Sequence, residues 1–149
     1  MNEFSPSDPH YADRVRGSFR RQKVMALIGA ELTRLTPGHC EIRLPHKPEL
    51  TQQHGYIHGG IIGTIGDTAA GYAAYTLMPR DSSVLTIEYK MNLLAPGDGE
   101  ALIARGEVVR AGRTLVVARA EVYAVKDGRE TLCASLLQTL MTMHGRSDQ

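Results

Sequence analysis

The chain has 149 residues, of which 42% are hydrophobic and 22% are charged, with 17 basic and 16 acidic side chains. This length and composition predict one globular domain over residues 1–149 and argue against a disordered chain. The formal net charge of +1 excludes a strongly basic nucleic-acid-binding protein, so we expect no nucleic-acid partner.

The cysteine and histidine content argues against a disulfide framework and against a metal site. Cys40 and Cys133 are too few and too far apart for either, and the histidines show no metal-ligand spacing. The N-terminal residues have no apolar core of signal-peptide length, and no apolar run of membrane-spanning length lacks glycine and charge. We therefore expect a cytoplasmic protein with no membrane partner.

The N-terminal part of the chain predicts one amphipathic helix. Residues 1–7 are polar and should be loose, and Asp8-Pro9 is a helix start with an acidic N-cap. Apolar residues then recur at roughly helical spacing over residues 8–28. The opposite face carries five basic side chains, Arg14, Arg16, Arg20, Arg21 and Lys23. A solvated face is the simpler interpretation, and a contribution to a phosphate site is the alternative.

A hairpin and a second, longer helix are predicted next. Residues 30–35 and 39–44 flank a Thr36-Pro37-Gly38 turn signal and favour two paired strands. Residues 45–57 contain two prolines and little periodicity, which predicts a loop. A helix should follow over residues 59–77 and end near Met78-Pro79. Because it is apolar nearly all round, it should be wrapped by a sheet.

The remainder of the chain is strand-like as far as residue 143. Residues 85–93 alternate between apolar and polar side chains, and residues 101–110, 114–125 and 131–143 are long β-prone runs. Asp127-Gly128 is a strong hairpin signal between the last two runs. Residues 145–149 form a polar tail. These patterns predict an α+β domain in which an antiparallel, curved sheet encloses one long helix.

The most informative motif is His58-Gly59-Gly60 followed by Asp67, which is the only formal charge between His58 and Met78. A carboxylate within a helix rich in glycine, alanine and isoleucine is costly to bury unless it is hydrogen-bonded, paired or neutralised. The two glycines leave the first backbone N–H groups of the helix open to a ligand oxygen. The segment therefore offers two groups. One is a set of backbone N–H groups that could polarise a carbonyl, and the other is a carboxylate.

The spacing of these two groups predicts a dimer. Gly59 and Asp67 are eight residues apart in the sequence, or about 12 Å along one helix axis, so a single carbonyl group cannot use both within one chain. A second copy of the helix, antiparallel and related by a two-fold axis, would bring its Asp67 to this Gly59. We therefore expect a homodimer with two equivalent sites at its interface, and a dimer of dimers is a further option.

Three segments carry a resemblance to a known family. The run QQHGYIHGG over residues 52–60, with Asp67 and Gly71 after it, resembles the hotdog-fold acyl-CoA thioesterases of the PaaI type. EYKMNLLAP over residues 88–96 resembles the strand after the central helix of that family, and Gly112-Arg113-Thr114 resembles the start of its next long strand. The resemblance covers residues 30–143 and implies a hotdog fold, here with an extra N-terminal helix. It also implies hydrolysis of an acyl- or aryl-acyl-CoA to the free acid and coenzyme A.

The resemblance also implies roles for five residues. Asp67 would be the nucleophile or the general base that activates water, and the Gly59 N–H of the other subunit would polarise the thioester carbonyl. Gln52 stands where family members often carry an asparagine that holds the thioester or the water. His58 would orient that amide or the loop, and Thr86 would position the water.

The same residues also permit structural interpretations. Asp67 could be a structural carboxylate that pairs within the dimer, and His58 could satisfy a loop carbonyl. Gln53 could take the place of Gln52 if the register slips by one residue. Thr86 could equally be a strand residue that faces solvent.

Substrate binding is expected from Gly60 and from arginines at the ends of elements. Arg80, Arg110 and Arg113 could meet the phosphates of coenzyme A, although solvated surface charge is the simpler interpretation for each. No organic cofactor or metal is expected, because coenzyme A is itself part of the substrate and a thioester is already electrophilic.

Two other functions are weighed against the thioesterase. A non-catalytic acyl-CoA-binding hotdog module could sense a ligand, but such regulators usually carry a DNA-binding extension, for which the residues before the hairpin are too few. A dehydratase or hydratase acting on acyl thioesters would need a different arrangement of histidine and acid, which the sequence does not show.

Overall fold

The computed structural model describes residues 3–148. Its elements, in chain order, are α1 (Tyr11–Arg21), α2 (Lys23–Ile28), β1 (Glu31–Thr36), β2 (His39–Pro45), a short 3₁₀ turn (Pro48–Leu50), α3 (Gly59–Tyr75), β3 (Ser82–Leu93), β4 (Ala101–Ala111), β5 (Leu115–Lys126) and β6 (Arg129–His144). Within this part of the chain, no helix has the length and apolar content needed to cross a bilayer.

The strands form one antiparallel sheet in the order β1-β2-β4-β5-β6-β3. Helix α3 packs against β2, β3, β4, β5 and β6, which confirms the predicted hotdog fold with a long helix wrapped by a sheet. The predicted hairpin over residues 30–44 is present as β1 and β2. Asp127 and Gly128 both have positive φ, as the predicted turn between β5 and β6 requires.

Small residues bring the sheet close to the helix. In β5 the buried face is Val116, Ala118, Ala120, Val122 and Ala124, which alternates with exposed or half-buried side chains as a half-buried strand should. In β4, a Cβ atom on Gly106 would lie 2.3 Å from the backbone of Ala69 in α3. Only glycine allows this approach, which fixes how closely the sheet wraps α3.

The predicted N-terminal helix over residues 8–28 is two helices. The backbone of Gln22 is extended, with φ −72° and ψ 101°, and separates α1 from α2. Helix α1 begins at Tyr11, because the Asp8 carboxylate accepts a hydrogen bond from the His10 N–H at 2.9 Å in a turn that precedes the helix. Prediction from periodicity missed this break because the apolar spacing continues across it.

The segments predicted as a loose N-terminus and a polar tail have defined contacts where the structure describes them. Phe4 packs against the core, and the Ser7 hydroxyl donates to the carbonyl of Leu77 at 3.1 Å. The Asp148 carboxylate accepts hydrogen bonds from the Tyr75 hydroxyl at 3.0 Å and from Arg21 at 3.1 Å. Residues 1, 2 and 149, which belong to these two segments, lie outside the described residues.

The prediction that Arg14 lies on a solvated face is wrong, because its side chain is only 4% exposed. Its guanidinium donates to the carbonyls of Tyr75, Met78 and Pro79, and its Nε lies 3.1 Å from Oδ2 of buried Asp8. The carbonyls at the end of α3 and just after it thus have a buried cationic partner, which joins α1 to α3.

We expect Asp8→Ala to lower the free energy of unfolding by about 3 kcal/mol, because removal of one partner leaves the buried Arg14 charge unpaired. Urea unfolding of the two proteins measures this difference. The matched control is Asp98→Ala, which removes an exposed ion pair with Lys126 and should have little effect. Equal effects of the two substitutions would contradict the prediction.

Candidate active site

Asp67 lies in the middle of α3 and is half-buried. Its Oδ1 accepts a hydrogen bond from the Thr86 hydroxyl of β3 at 2.7 Å and another from Gln138 Nε2 of β6 at 3.1 Å. The carboxylate is therefore hydrogen-bonded from two neighbouring strands, which satisfies the requirement for placing an acid within an apolar helix.

A β-bulge aims Thr86 at the helix. The pairing of β3 with β6 shifts register between Thr86 and Glu88, so that Ile87 is an extra residue. Strict alternation over residues 85–93 would put Thr86 on the opposite face from Tyr89, but both side chains contact α3. Bulges re-aim side chains in this way at functional sites. The structure thus brings Thr86 to Asp67 rather than to the solvent face.

A cleft of about 330 Å³ opens beside Asp67. Three elements line it: α3 with Thr64, Asp67, Thr68, Gly71 and Tyr72; β3 with Val84, Leu85 and Thr86; and the junction of α1 and α2 with Gln22 and Val24. Gln22 Nε2 donates to the Tyr72 hydroxyl at 2.9 Å, so the break between the two N-terminal helices places an amide in the wall of this cleft.

His58 is the N-cap of α3. Its Nδ1 accepts a hydrogen bond from the Gly60 N–H at 2.9 Å, which is the side-chain cap of this helix. The Gly60 N–H is thus occupied within the chain. The Gly59 N–H has no acceptor among residues 3–148 and is half-buried, so it is the donor at this helix start that a ligand can use.

A second cleft, of about 340 Å³, contains Gly59 and Gln52. Its other lining residues are Tyr56, Ile57, Ile62, Leu93, Leu94, Ala95, Pro96 and Gly97. Oε1 of Gln52 accepts a hydrogen bond from the His54 N–H within the loop, which leaves the amide N–H₂ group for the cleft. The predicted contact of His58 with Gln52 is not seen among the described residues.

The two clefts share no lining residue among those described. Asp67 and Thr86 belong to the first cleft, and Gly59 and Gln52 belong to the second. Because Asp67 is eight positions after Gly59 in α3, about 12 Å along the axis, the structure does not bring these groups together within one chain.

The three arginines predicted to meet coenzyme A are exposed, and none of them lines either cleft in the described part of the chain. Arg80 borders a different cleft beside Asp13, Arg110 is near the end of β4, and Arg113 is in the turn between β4 and β5. Neither cysteine lines either cleft in the described part of the chain. Burial raises the pKa of Cys40 to about 12 and that of Cys133 to about 11, so both remain thiols.

Gln138 is the contact of Asp67 that the sequence analysis missed. It follows Asp67 by 71 residues, and β6 carries it on the buried face between Leu136 and Leu140. Alternation along β6 predicts that position 138 is buried, and a glutamine there indicates a hydrogen-bond partner, since a buried polar side chain needs one. The sequence could not identify that partner.

Comparison with known proteins gives concordant results. The Thioesterase superfamily profile matches residues 54–131. A crystal structure of a thioesterase family protein from Silicibacter pomeroyi is 50% identical, with a TM-score of 0.90 over 91% of this chain and 99% of that one. The PaaI protein of Escherichia coli has the same fold, at 17% identity and a TM-score of 0.81 over 91% of this chain and 95% of that one.

Two curated relatives extend these matches. A Saccharolobus solfataricus protein for which an esterase activity has been proposed is 31% identical over 80% of this chain and 77% of its own length. The medium/long-chain acyl-CoA thioesterase YigI of Escherichia coli K12 is 28% identical over 64% of this chain and 72% of its own length.

Proposed function

The chain belongs to the thioesterase superfamily, and we propose that it hydrolyses an acyl- or aryl-acyl-CoA to the free acid and coenzyme A. The observation that carries this proposal is the Asp67 carboxylate, which is held by Thr86 at the edge of a cleft of acyl-group size. Similarity to an acyl-CoA thioesterase of Escherichia coli supports a coenzyme A thioester as the substrate.

The chemistry needs a base or nucleophile and a donor for the oxyanion. As a general base, Asp67 removes a proton from water while the water oxygen attacks the thioester carbonyl carbon. The resulting oxyanion accepts a hydrogen bond from the N–H of Gly59 of the partner subunit, a contact worth about 3 kcal/mol in the transition state. The carbon–sulfur bond then breaks, and the sulfur leaves as coenzyme A after it gains a proton. This mechanism uses no metal or organic cofactor.

Direct attack by Asp67 is the alternative route. The carboxylate would form a mixed anhydride with the acyl group and release coenzyme A, and water would then hydrolyse the anhydride. In single-turnover hydrolysis in oxygen-18 water, label in Asp67 identifies direct attack by the carboxylate. Attack of water on the carboxyl carbon of Asp67 would leave label in the enzyme, whereas general-base catalysis places all of it in the free acid.

A second copy of the chain is the partner we propose, and β3 is the surface that binds it. Within residues 3–148 this strand is at the edge of the sheet and pairs only with β6. Four of its apolar side chains, Leu85, Ile87, Tyr89 and Leu93, are 43–57% exposed. A long, open and apolar edge strand favours pairing with another strand. In a two-fold dimer, the β3 edge of each protomer would pair with the β3 edge of the other.

The position of the two clefts along β3 supports this dimer. The first cleft borders Val84–Thr86 near the start of the strand, and the second borders Leu93 and Leu94 at its end. Antiparallel pairing of two β3 strands, with the two-fold axis close to Tyr89 and Lys90, would place the start of one strand beside the end of the other. The Asp67 cleft of one protomer would then meet the Gly59 cleft of its partner.

We expect Ile87→Lys to convert the dimer to a monomer and to abolish thioesterase activity, because a lysine on an open strand edge opposes pairing. Sedimentation velocity measures the change and also distinguishes a dimer from a dimer of dimers. Val109→Lys, which replaces an exposed apolar residue in β4, is the control and should stay dimeric. An active, dimeric Ile87→Lys protein would contradict the proposed interface.

The function itself is tested by release of free thiol from a panel of acyl-CoA thioesters, such as acetyl-, hexanoyl-, phenylacetyl- and palmitoyl-CoA. We expect turnover of at least one member, with the same rate in the presence of a chelator. Tight binding without thiol release would favour the non-catalytic acyl-CoA sensor and would contradict the proposed hydrolase.

A further inference from the structure

Gln138 is bound to Asp67 through one end of its amide. Its side chain is 1% exposed, and its Nε2 lies 3.1 Å from Asp67 Oδ1 and 3.3 Å from the backbone carbonyl oxygen of the same residue. A carboxylate and a carbonyl only accept hydrogen bonds, so the amide must present its N–H₂ group to Asp67. The chemistry of the two acceptors therefore fixes the orientation of the amide.

The other end of this amide is unsatisfied. Gln138 Oε1 is buried and accepts no hydrogen bond within the described part of the chain. A buried acceptor without a donor is unfavourable for folding. Its neighbours on the same face of β6, Leu136 and Leu140, are apolar, and an apolar side chain at position 138 would avoid the unsatisfied oxygen. Packing therefore does not explain why a glutamine is there.

The two oxygens of the Asp67 carboxylate have different hydrogen bonds. Both side-chain donors, Thr86 and Gln138, reach Oδ1, and no donor among residues 3–148 reaches Oδ2. Gln138 also contacts the backbone carbonyl of Asp67. The amide therefore restrains the Asp67 side chain relative to the backbone of α3. Oδ2 is left as the oxygen available to the cleft, with its lone pairs unused.

We propose that Gln138 is a positioning residue for thioester hydrolysis, which holds Asp67 so that Oδ2 is the reacting oxygen. This inference rests on the proposed function. A neutral amide suits the role because it donates to the carboxylate without adding a second negative charge beside it. Unlike the Thr86 hydroxyl, which donates to one oxygen of Asp67, the amide N–H₂ group has two donors and contacts two oxygens of that residue.

Gln138→Met tests the proposal, because methionine keeps the length of the side chain and lacks the donor. We expect kcat to fall by about tenfold to a hundredfold, since small misplacements of a reacting group have effects of this size. KM should change by less than about twofold, because only the transition state uses the interaction. Tm should stay the same or rise, because the unsatisfied oxygen is removed.

The Asp67→Asn background separates positioning from structure. Because Gln138 acts only through Asp67, adding Gln138→Met to Asp67→Asn should leave the residual activity unchanged. The matched control is Thr142→Val, a buried polar position on the same face of β6 that should retain kcat.

Three outcomes would overturn the inference. Full kcat in Gln138→Met, with Asp67→Asn inactive, would exclude the role of Gln138 and leave the proposed function standing. A lower Tm with equal losses of activity in both backgrounds would show that Gln138 is structural. Absence of thiol release by the unsubstituted protein would overturn both the inference and the proposed function.

Discussion

Asp67→Asn should lower kcat for thioester hydrolysis by about a thousandfold, in the range expected for loss of a general base. Asparagine has the same shape as aspartate, and its carbonyl oxygen can still accept the hydrogen bonds of Thr86 and Gln138. It can neither accept the proton of the attacking water nor attack the thioester itself. The loss should therefore appear in kcat rather than in KM or in folding, as measured by thiol release, by circular dichroism and by thermal unfolding.

The control for this result is Asp81→Asn, which changes an exposed aspartate after the end of α3 and should have no effect on kcat. Asp67→Ala should lose as much activity as Asp67→Asn, although it also removes the acceptor for two hydrogen bonds. Retention of more than about a tenth of kcat in Asp67→Asn would contradict the role of Asp67, because loss of a general base lowers kcat by about a hundredfold or more.

Co-expression of two inactive variants should restore activity. Gly59→Pro removes the N–H that is proposed to bind the oxyanion, with an expected loss of about a hundredfold in kcat. The helix should tolerate it, since proline is favoured at the first helical position and His58, with ψ 136°, already has the backbone conformation preferred before proline. A Cβ atom at Gly59 would meet only the movable end of the exposed Leu93 side chain.

A site shared between subunits makes this complementation quantitative. In a heterodimer of Asp67→Asn and Gly59→Pro, one site combines the intact Gly59 with the intact Asp67, and the other site carries both substitutions. Random association makes half of the dimers mixed, so roughly a quarter of the original activity should return. Activity no greater than that of either variant alone would show that each site takes both groups from one chain.

The reverse mixture is the matched control. The unsubstituted protein co-expressed with the double variant Asp67→Asn/Gly59→Pro forms heterodimers without an intact site if the sites are shared. The mixture should then retain roughly a quarter of the activity, whereas sites built within one chain would retain roughly half. The two mixtures together distinguish sites that are shared between subunits from a lower amount of folded enzyme.

The sequence by itself determined α3, the strands and the spacing between Gly59 and Asp67. Apolar periodicity predicted α3 and the four long strands after it, and turn residues such as Asp127-Gly128 predicted where the chain reverses. The single charge in an apolar helix made Asp67 a candidate site residue, and the eight-residue spacing from Gly59 led to the prediction that each site is shared between two subunits. These properties are local, because they depend on residues within one or two turns or within one strand.

Only the tertiary structure decided which side chains meet. Thr86 reaches Asp67 because a bulge at Ile87 changes the phase of β3, and strict alternation would place it on the other face. Gln138 reaches Asp67 from 71 residues away along the chain. Arg14 is buried because it pairs with Asp8 and donates hydrogen bonds to carbonyls at the end of α3. Its position in the helical repeat is that of a residue on the solvated face. Each result depends on strand register or on helix packing, which join distant residues and leave no pattern in the nearby sequence.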